Sequence, residues 1–296
     1  MKQASIFSNA LLRYFLAMFI FGTIGIFVRY IPFPSSVIAL FRGGIGMLFL
    51  LLVVVCSKQK LSAADIKRNL LPLCLSGAFI GFNWILLFEA YRYTTVAIAT
   101  LCYYLAPVFV ILVAPIFLKD KLTAKKLICV TVALIGMVFV SGVLQTGMPA
   151  SGELKGIFFG IAAALLYASV VICNKFIRDI AAYDMTIMQL GIAALVLFPY
   201  TLLTEDFSSL EISVPAIAML LFVAIVHTGI AYALYFSAMQ GLSSHTIAIF
   251  SYVDPIVAII LSALLLHEPM GIFGVIGAVL ILGSTLISGL PDKDNV

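Results

Sequence analysis

The chain has 296 residues, 64% of them hydrophobic and 10% charged, with a formal net charge of +4. A soluble domain carries roughly 25% charged residues and has too little interior to hide this much apolar surface, which excludes a water-soluble enzyme or binding module. The five cysteines (Cys56, Cys74, Cys102, Cys129, Cys173) form no C-x-x-C pair, and no phosphate loop of the G-x-x-x-x-G-K-[ST] type occurs, so metal, redox and ATP-driven chemistry lack their usual signatures.

Apolar runs between polar or turn-rich breaks predict ten spans: 11–30, 36–56, 70–91, 94–118, 124–142, 153–174, 183–203, 214–239, 243–266 and 270–290. Most come near the roughly 20 residues needed to cross a hydrocarbon core of about 30 Å. The expected fold is therefore an all-α integral membrane protein with ten transmembrane helices. The first run begins after Arg13 and superficially suggests a signal peptide, but it shows no clear small-residue cleavage site and further spans follow. Thr123, Ser151 and Ser243 stand where helix caps are expected. The fourth span, in TLCYYLAPVFV, carries Pro107, and the ninth, in AIFSYVDPIVA, carries Pro255. Each proline removes a backbone hydrogen bond and is expected to kink its span as a hinge beside a cavity. The sixth span carries Gly152, Gly156, Gly160, Ala164 and Ala168 at every fourth position, a stripe that predicts close helix contact within a monomer rather than across a dimer.

Pro107 and Pro255 are 148 residues apart (255 − 107 = 148), half the chain. At that offset Phe88 meets Phe236, Tyr104 meets Tyr252, and Asp120 meets Glu268. The expected organisation is a first five-helix repeat over residues 1–148 and a second over 149–296. An odd number of spans per repeat inserts the second upside down, an architecture recurrent in secondary transporters.

Orientation follows from lysine and arginine, which stay cytoplasmic. With the N-terminus inside, the inner segments hold thirteen of the seventeen bases and the outer segments only Arg29, Arg92 and Lys155, while Arg42 lies within span two. Both termini are thus expected in the cytoplasm and the turn at His267-Glu268 outside. The positive charge reads as a membrane address, so no nucleic acid is expected as a partner.

The step Phe21-Gly22-Thr23, the arginine of Phe41-Arg42, the run AYRYTTVAIATLCYYLAPVF and the acidic turn after it, set within ten spans in two halves, resemble the EamA-like branch of the drug/metabolite transporter superfamily. The resemblance covers nearly the whole chain. It implies a bacterial inner-membrane carrier of small metabolites such as amino acids, amines or related compounds, often an exporter. Asp120 stands where the family usually shows glutamate, and Gln189 stands roughly where Arg42 would recur, so the halves have diverged and the substrate does not carry over.

Charges inside spans are costly and mark candidate functional residues. Asp254 and His227 both lie about 16 Å deep at the helical rise, and a carboxylate and imidazole at one depth are candidates for proton coupling. Arg42 and Glu89 lie at comparable depth from the outer face, where they could pair as a gate or hold a substrate carboxylate. Asn83, Trp84, Tyr103, Tyr104, Gln189, Tyr232, Tyr235 and Tyr252 offer aromatic and hydrogen-bonding walls for the substrate. The expected partners are a small-molecule substrate, the lipid bilayer and protons, with no cofactor, in a monomer or weak homodimer. A channel or passive facilitator is the alternative to a carrier. A membrane enzyme would need a cluster of acids or histidines that the sequence does not show.

Overall fold

The computed structural model describes residues 2–119, 122–146, 151–239 and 241–289. Asp120, Lys121, Lys293 and the 148/149 boundary between the expected halves lie outside the described residues. Helices α1 (Lys2–Arg29), α2 (Ser35–Cys56), α3 (Ala63–Arg68), α4 (Leu70–Tyr93), α5 (Val96–Tyr103), α6 (Ala106–Phe117), α7 (Ala124–Val140) and α8 (Val143–Thr146) are followed by α9 (Ser151–Asn174), α10 (Ala182–Thr204), α11 (Val214–Ala224), α12 (Ala231–Met239), α13 (Ser244–Phe250), α14 (Val253–Leu265) and α15 (Ile272–Gly289). No strand occurs among the described residues. Their starts follow from cap chemistry: Thr95, Thr123, Ser213 and Ser243 each accept the backbone N–H three residues on, satisfying a donor the helix leaves orphaned. Ser151 is instead the first residue of α9.

Among the described residues, eight segments are long and apolar enough to cross a membrane: Asn9–Arg29, Ser35–Cys56, Leu70–Tyr93, Val96–Phe117, Ser151–Asn174, Ala182–Thr204, Val214–Met239 and Ile272–Gly289. The other two expected spans are shorter pieces. One is α7, 17 residues opening on Lys125 and Lys126, and the other is the apolar α14, 13 residues, preceded by α13.

The expected proline kinks are complete breaks. Turn residues Tyr104-Leu105 separate α5 from α6, and Ser251-Tyr252 separate α13 from α14. Pro107 and Pro255 fall in the first turn of the second piece, where the missing N–H would have had no helical partner. A further irregularity had no signal in the sequence: residues Ile225–Ile230, between α11 and α12, wind as a π-helix.

Helix α4 runs along α9, and α7 along α15; α10 packs against α2 and α4; α1 packs against α12 and α14; α5 contacts α9 and α14, and α6 contacts α9. The small-residue stripe of α9 explains one of these approaches. A Cβ at Gly156 would stand 2.8 Å from the backbone N of Thr94, and one at Gly160 would stand 2.7 Å from the Cβ of Cys102. At Gly152 nothing lies within 4 Å.

Candidate functional site

A cavity of about 450 Å³ opens among α1, α2, α4, α5, α9, α10, α12 and the first turns of α6 and α14. Seven of the twelve tyrosines line it: Tyr14, Tyr91, Tyr103, Tyr104, Tyr167, Tyr232 and Tyr235. Tyrosine suits such a wall because its ring packs while its hydroxyl can serve a polar ligand. Tyr103 rests on Tyr167 with centroids 5.4 Å apart, and Tyr232 on Phe21 at 5.4 Å.

Arg42 is 5% exposed. Its Nε donates to the Thr228 hydroxyl at 2.8 Å, and its Cζ stands 4.1 Å from the centroid of Trp84 and 5.7 Å from that of Phe88. The π segment therefore supplies the residue that orients the guanidinium. Among the described residues the Nη groups of Arg42 have no acceptor, and Arg42 lines the cavity. It presents a planar fork of donors, the geometry that matches a carboxylate or phosphate.

Asp254 also lines the cavity. Its Oδ2 accepts from the Tyr104 hydroxyl at 3.0 Å, and among the described residues it forms no ion pair. Gly22 brings α1 against this point, for a Cβ there would lie 2.5 Å from the Asp254 carbonyl oxygen. Asn83 donates to the Ala163 carbonyl at 2.6 Å. Gln189 spends its amide protons on the Ser76 hydroxyl at 2.8 Å and on the side-chain Oδ1 of Asn174 at 2.7 Å. Gln189 thus holds Asn174, which lines the cavity beside it.

The structure gathers Arg42, Asn83, Trp84, Tyr103, Tyr104, Pro107, Gln189, Tyr232, Tyr235 and Asp254 around the cavity and leaves Glu89, His227, Tyr252 and Pro255 off its wall. Arg42 and Glu89 do not pair: Glu89 accepts from Arg92 at 3.4 Å, one turn along its own helix. Asp254 and His227 do not meet either. The Nε2 of His227 lies 2.9 Å from the Thr23 hydroxyl, its ring sits between Phe27 and Phe222, and its buried Nδ1 has no partner among the described residues. Tyr252 donates to Thr285 at 2.9 Å behind the wall. Sequence reasoning missed Tyr14, Tyr91, Tyr167, Asn174 and Thr228. Only Asn174, a polar residue ending an apolar run, left a signal that could have been followed. Among the described residues no three His, Cys, Asp or Glu side chains converge to hold a metal.

Comparison with known proteins gives this geometry a context. The model of the EamA-like transporter family matches residues 8–142 and again 154–290. The transporter YxxF of Bacillus subtilis (strain 168), described as uncharacterized, is 30% identical over 95% of this chain and 89% of its own length. A transporter of Archaeoglobus fulgidus, also described as uncharacterized, is 26% identical over 92% of this chain and 93% of its own. One solved crystal structure shares the fold with a TM-score of 0.63 at 18% identity, covering 95% of this chain and 96% of that one.

Proposed function

The chain belongs to the EamA-like transporter family, a multi-pass membrane protein, and from that premise we propose that it is a secondary carrier with its substrate site in the tyrosine-lined cavity. The carrier moves a small metabolite, such as an amino acid, an amine or a related compound, by alternating access. Its place is the bacterial inner membrane with both termini cytoplasmic, and its net direction is export. The observation that carries this reading is Arg42: a buried cation held by Thr228 and Trp84 that lines a cavity large enough for a metabolite. A carboxylate on the substrate fits that fork. Asp254 shares the cavity with Arg42, forms no salt bridge among the described residues, and is the candidate proton carrier.

Two inverted five-helix repeats, residues 1–148 and 149–296, supply the alternating machinery. The double match of one family model supports this layout. So does the packing, which keeps its pattern when the halves are exchanged. The contact of α4 with α9 has its counterpart in α12 with α1; α6 with α9 corresponds to α14 with α1; α4 with α10 corresponds to α11 with α2. The ends of α2 and α10 show the same exchange. Ser36, at the start of α2, donates to Glu205 just past α10, while Asp184, at the start of α10, accepts the Ser62 N–H in the segment that follows α2.

The test is counterflow in proteoliposomes against a panel of amino acids, amines and nucleosides. Saturable counterflow by a member of the panel, weakened by Arg42→Ala, is expected. Flux that neither saturates nor shows counterflow would mean a channel.

A further inference from the structure

One carboxylate ties the two halves together at the end of the bundle beyond Tyr91. Glu268 follows α14 in the second half, and its Oε1 lies 3.1 Å from Nη2 of Arg29, the last residue of α1. Its Oε2 accepts from the backbone N–H of Val96, the first residue of α5, at 3.1 Å and from the Ser262 hydroxyl at 2.7 Å. Nη1 of Arg29 in turn donates to the carbonyls of Tyr91 and Thr94, where α4 ends. The ends of α1, α4, α5 and α14 thus meet in one charged knot.

The position of the knot gives it a meaning. Tyr91, whose carbonyl it holds, also lines the cavity, so the knot caps that end of the chamber. At the other end the lining includes Asn174 in the last turn of α9, Thr186 near the start of α10, and Phe236 in α12. The Arg29 and Glu268 side chains are 34% and 13% exposed. Water can therefore take over their bonds when the helix ends part, which a fully buried ion pair would resist. Charge-assisted bonds to fixed backbone groups nonetheless hold better than an ordinary surface pair.

We propose that Arg29 and Glu268 form a latch that closes this end of the cavity and opens once in each transport cycle. The proposal rests on the alternating-access reading. It implies that the structure is the state closed at the Arg29 end, and that breaking the pair favours the state open there.

The test is a pair of distance measurements by spin labels on the full chain in lipid nanodiscs, in a cysteine-free background. Labels at Tyr30 and Ile272, 55% and 70% exposed, flank the latch, and labels at Phe176 and Met239, 49% and 37% exposed, flank the opposite end. Glu268→Gln can still accept from Val96 and Ser262 but removes the charge. It should shift the open-to-closed ratio at the latch end about tenfold, lengthening 30–272 while shortening 176–239. Arg29→Lys, which keeps the cation and can still donate to the Tyr91 and Thr94 carbonyls, should leave both distributions nearer wild type than Arg29→Gln does. Should Glu268→Gln fold poorly, Arg29→Gln reads the same shift. Unchanged distributions overturn the latch, and so does an equal widening in Arg29→Lys and Arg29→Gln. These distances require no transported solute. A responsive latch without counterflow would therefore refute the carrier reading alone, and counterflow with unresponsive distances would refute the latch alone.

Discussion

At the scale of single residues, Arg42 decides most. Arg42→Ala is expected to lower the counterflow rate about tenfold or more, with a folded yield by size-exclusion chromatography close to wild type. Arg42→Lys should rescue poorly, because an ammonium offers neither the planar fork nor the stack on Trp84 at 4.1 Å. Thr228 acts through Arg42: its hydroxyl accepts from Nε at 2.8 Å. Thr228→Val should raise KM severalfold at nearly unchanged maximal rate while Thr228→Ser stays near wild type; equal effects of both variants would deny it a positioning role. Asp254→Asn keeps an acceptor for the Tyr104 hydroxyl but cannot take up and release a proton. Downhill exchange should survive, and accumulation driven by a pH gradient should not. If accumulation persists, Asp254 is structural and the carrier is a uniporter.

Helix elements add a second layer, in which small residues set how near two helices can come. Gly152 and Gly160 belong to the same stripe on α9, yet only Gly160 has a neighbour inside contact distance. Gly160→Ala is expected to cost about 1–3 kcal/mol through overpacking against Cys102, seen as a lower melting temperature in detergent, whereas Gly152→Ala should leave it unchanged. A matching gain in both, as helix propensity alone would give, would show that contact at Gly160 does not set the stripe. The two breaks, at Tyr104-Leu105 and Ser251-Tyr252, end helices inside the bundle and place Tyr104 beside Asp254. Irregular backbone at such depth is tolerated where it lines a cavity or is buried in protein. The π segment Ile225–Ile230 works in the same way, setting Thr228 toward Arg42 while His227 faces Thr23.

For the whole molecule, the proposed inverted arrangement makes a prediction about sides. In a cysteine-free background, a cysteine at the exposed Ile272 should react with an impermeant thiol reagent in intact cells. One at the exposed Leu61, in the basic segment after α2, should react only after lysis. Labelling of both from the same side would end the inverted-repeat reading, since the charge bias and the repeat both require opposite faces.

The sequence by itself determined the membrane class, most of the helices and the places where proline interrupts them, and it assigned each charge an expected depth. Hydrophobicity and a fixed rise of 1.5 Å per residue act along a single chain, so these properties can be read by counting. It also placed Arg42, Trp84, Tyr104 and Asp254 among the candidate site residues, because a charge or an aromatic cluster within an apolar run stands out. Depth, however, is only one coordinate. Which way a side chain points around its helix, and which neighbour it meets, depends on packing. Arg42 and Glu89 lie at comparable depth but bond to Thr228 and Arg92 respectively. Asp254 and His227 are also matched in depth, yet they bond to Tyr104 and Thr23. Tyr14 and Tyr167 look like ordinary core residues until α1 and α9 turn them into the cavity. Helix rotation and the π turn belong to the energy of many contacts at once, so only the tertiary structure decided which charges stand alone and which are paired.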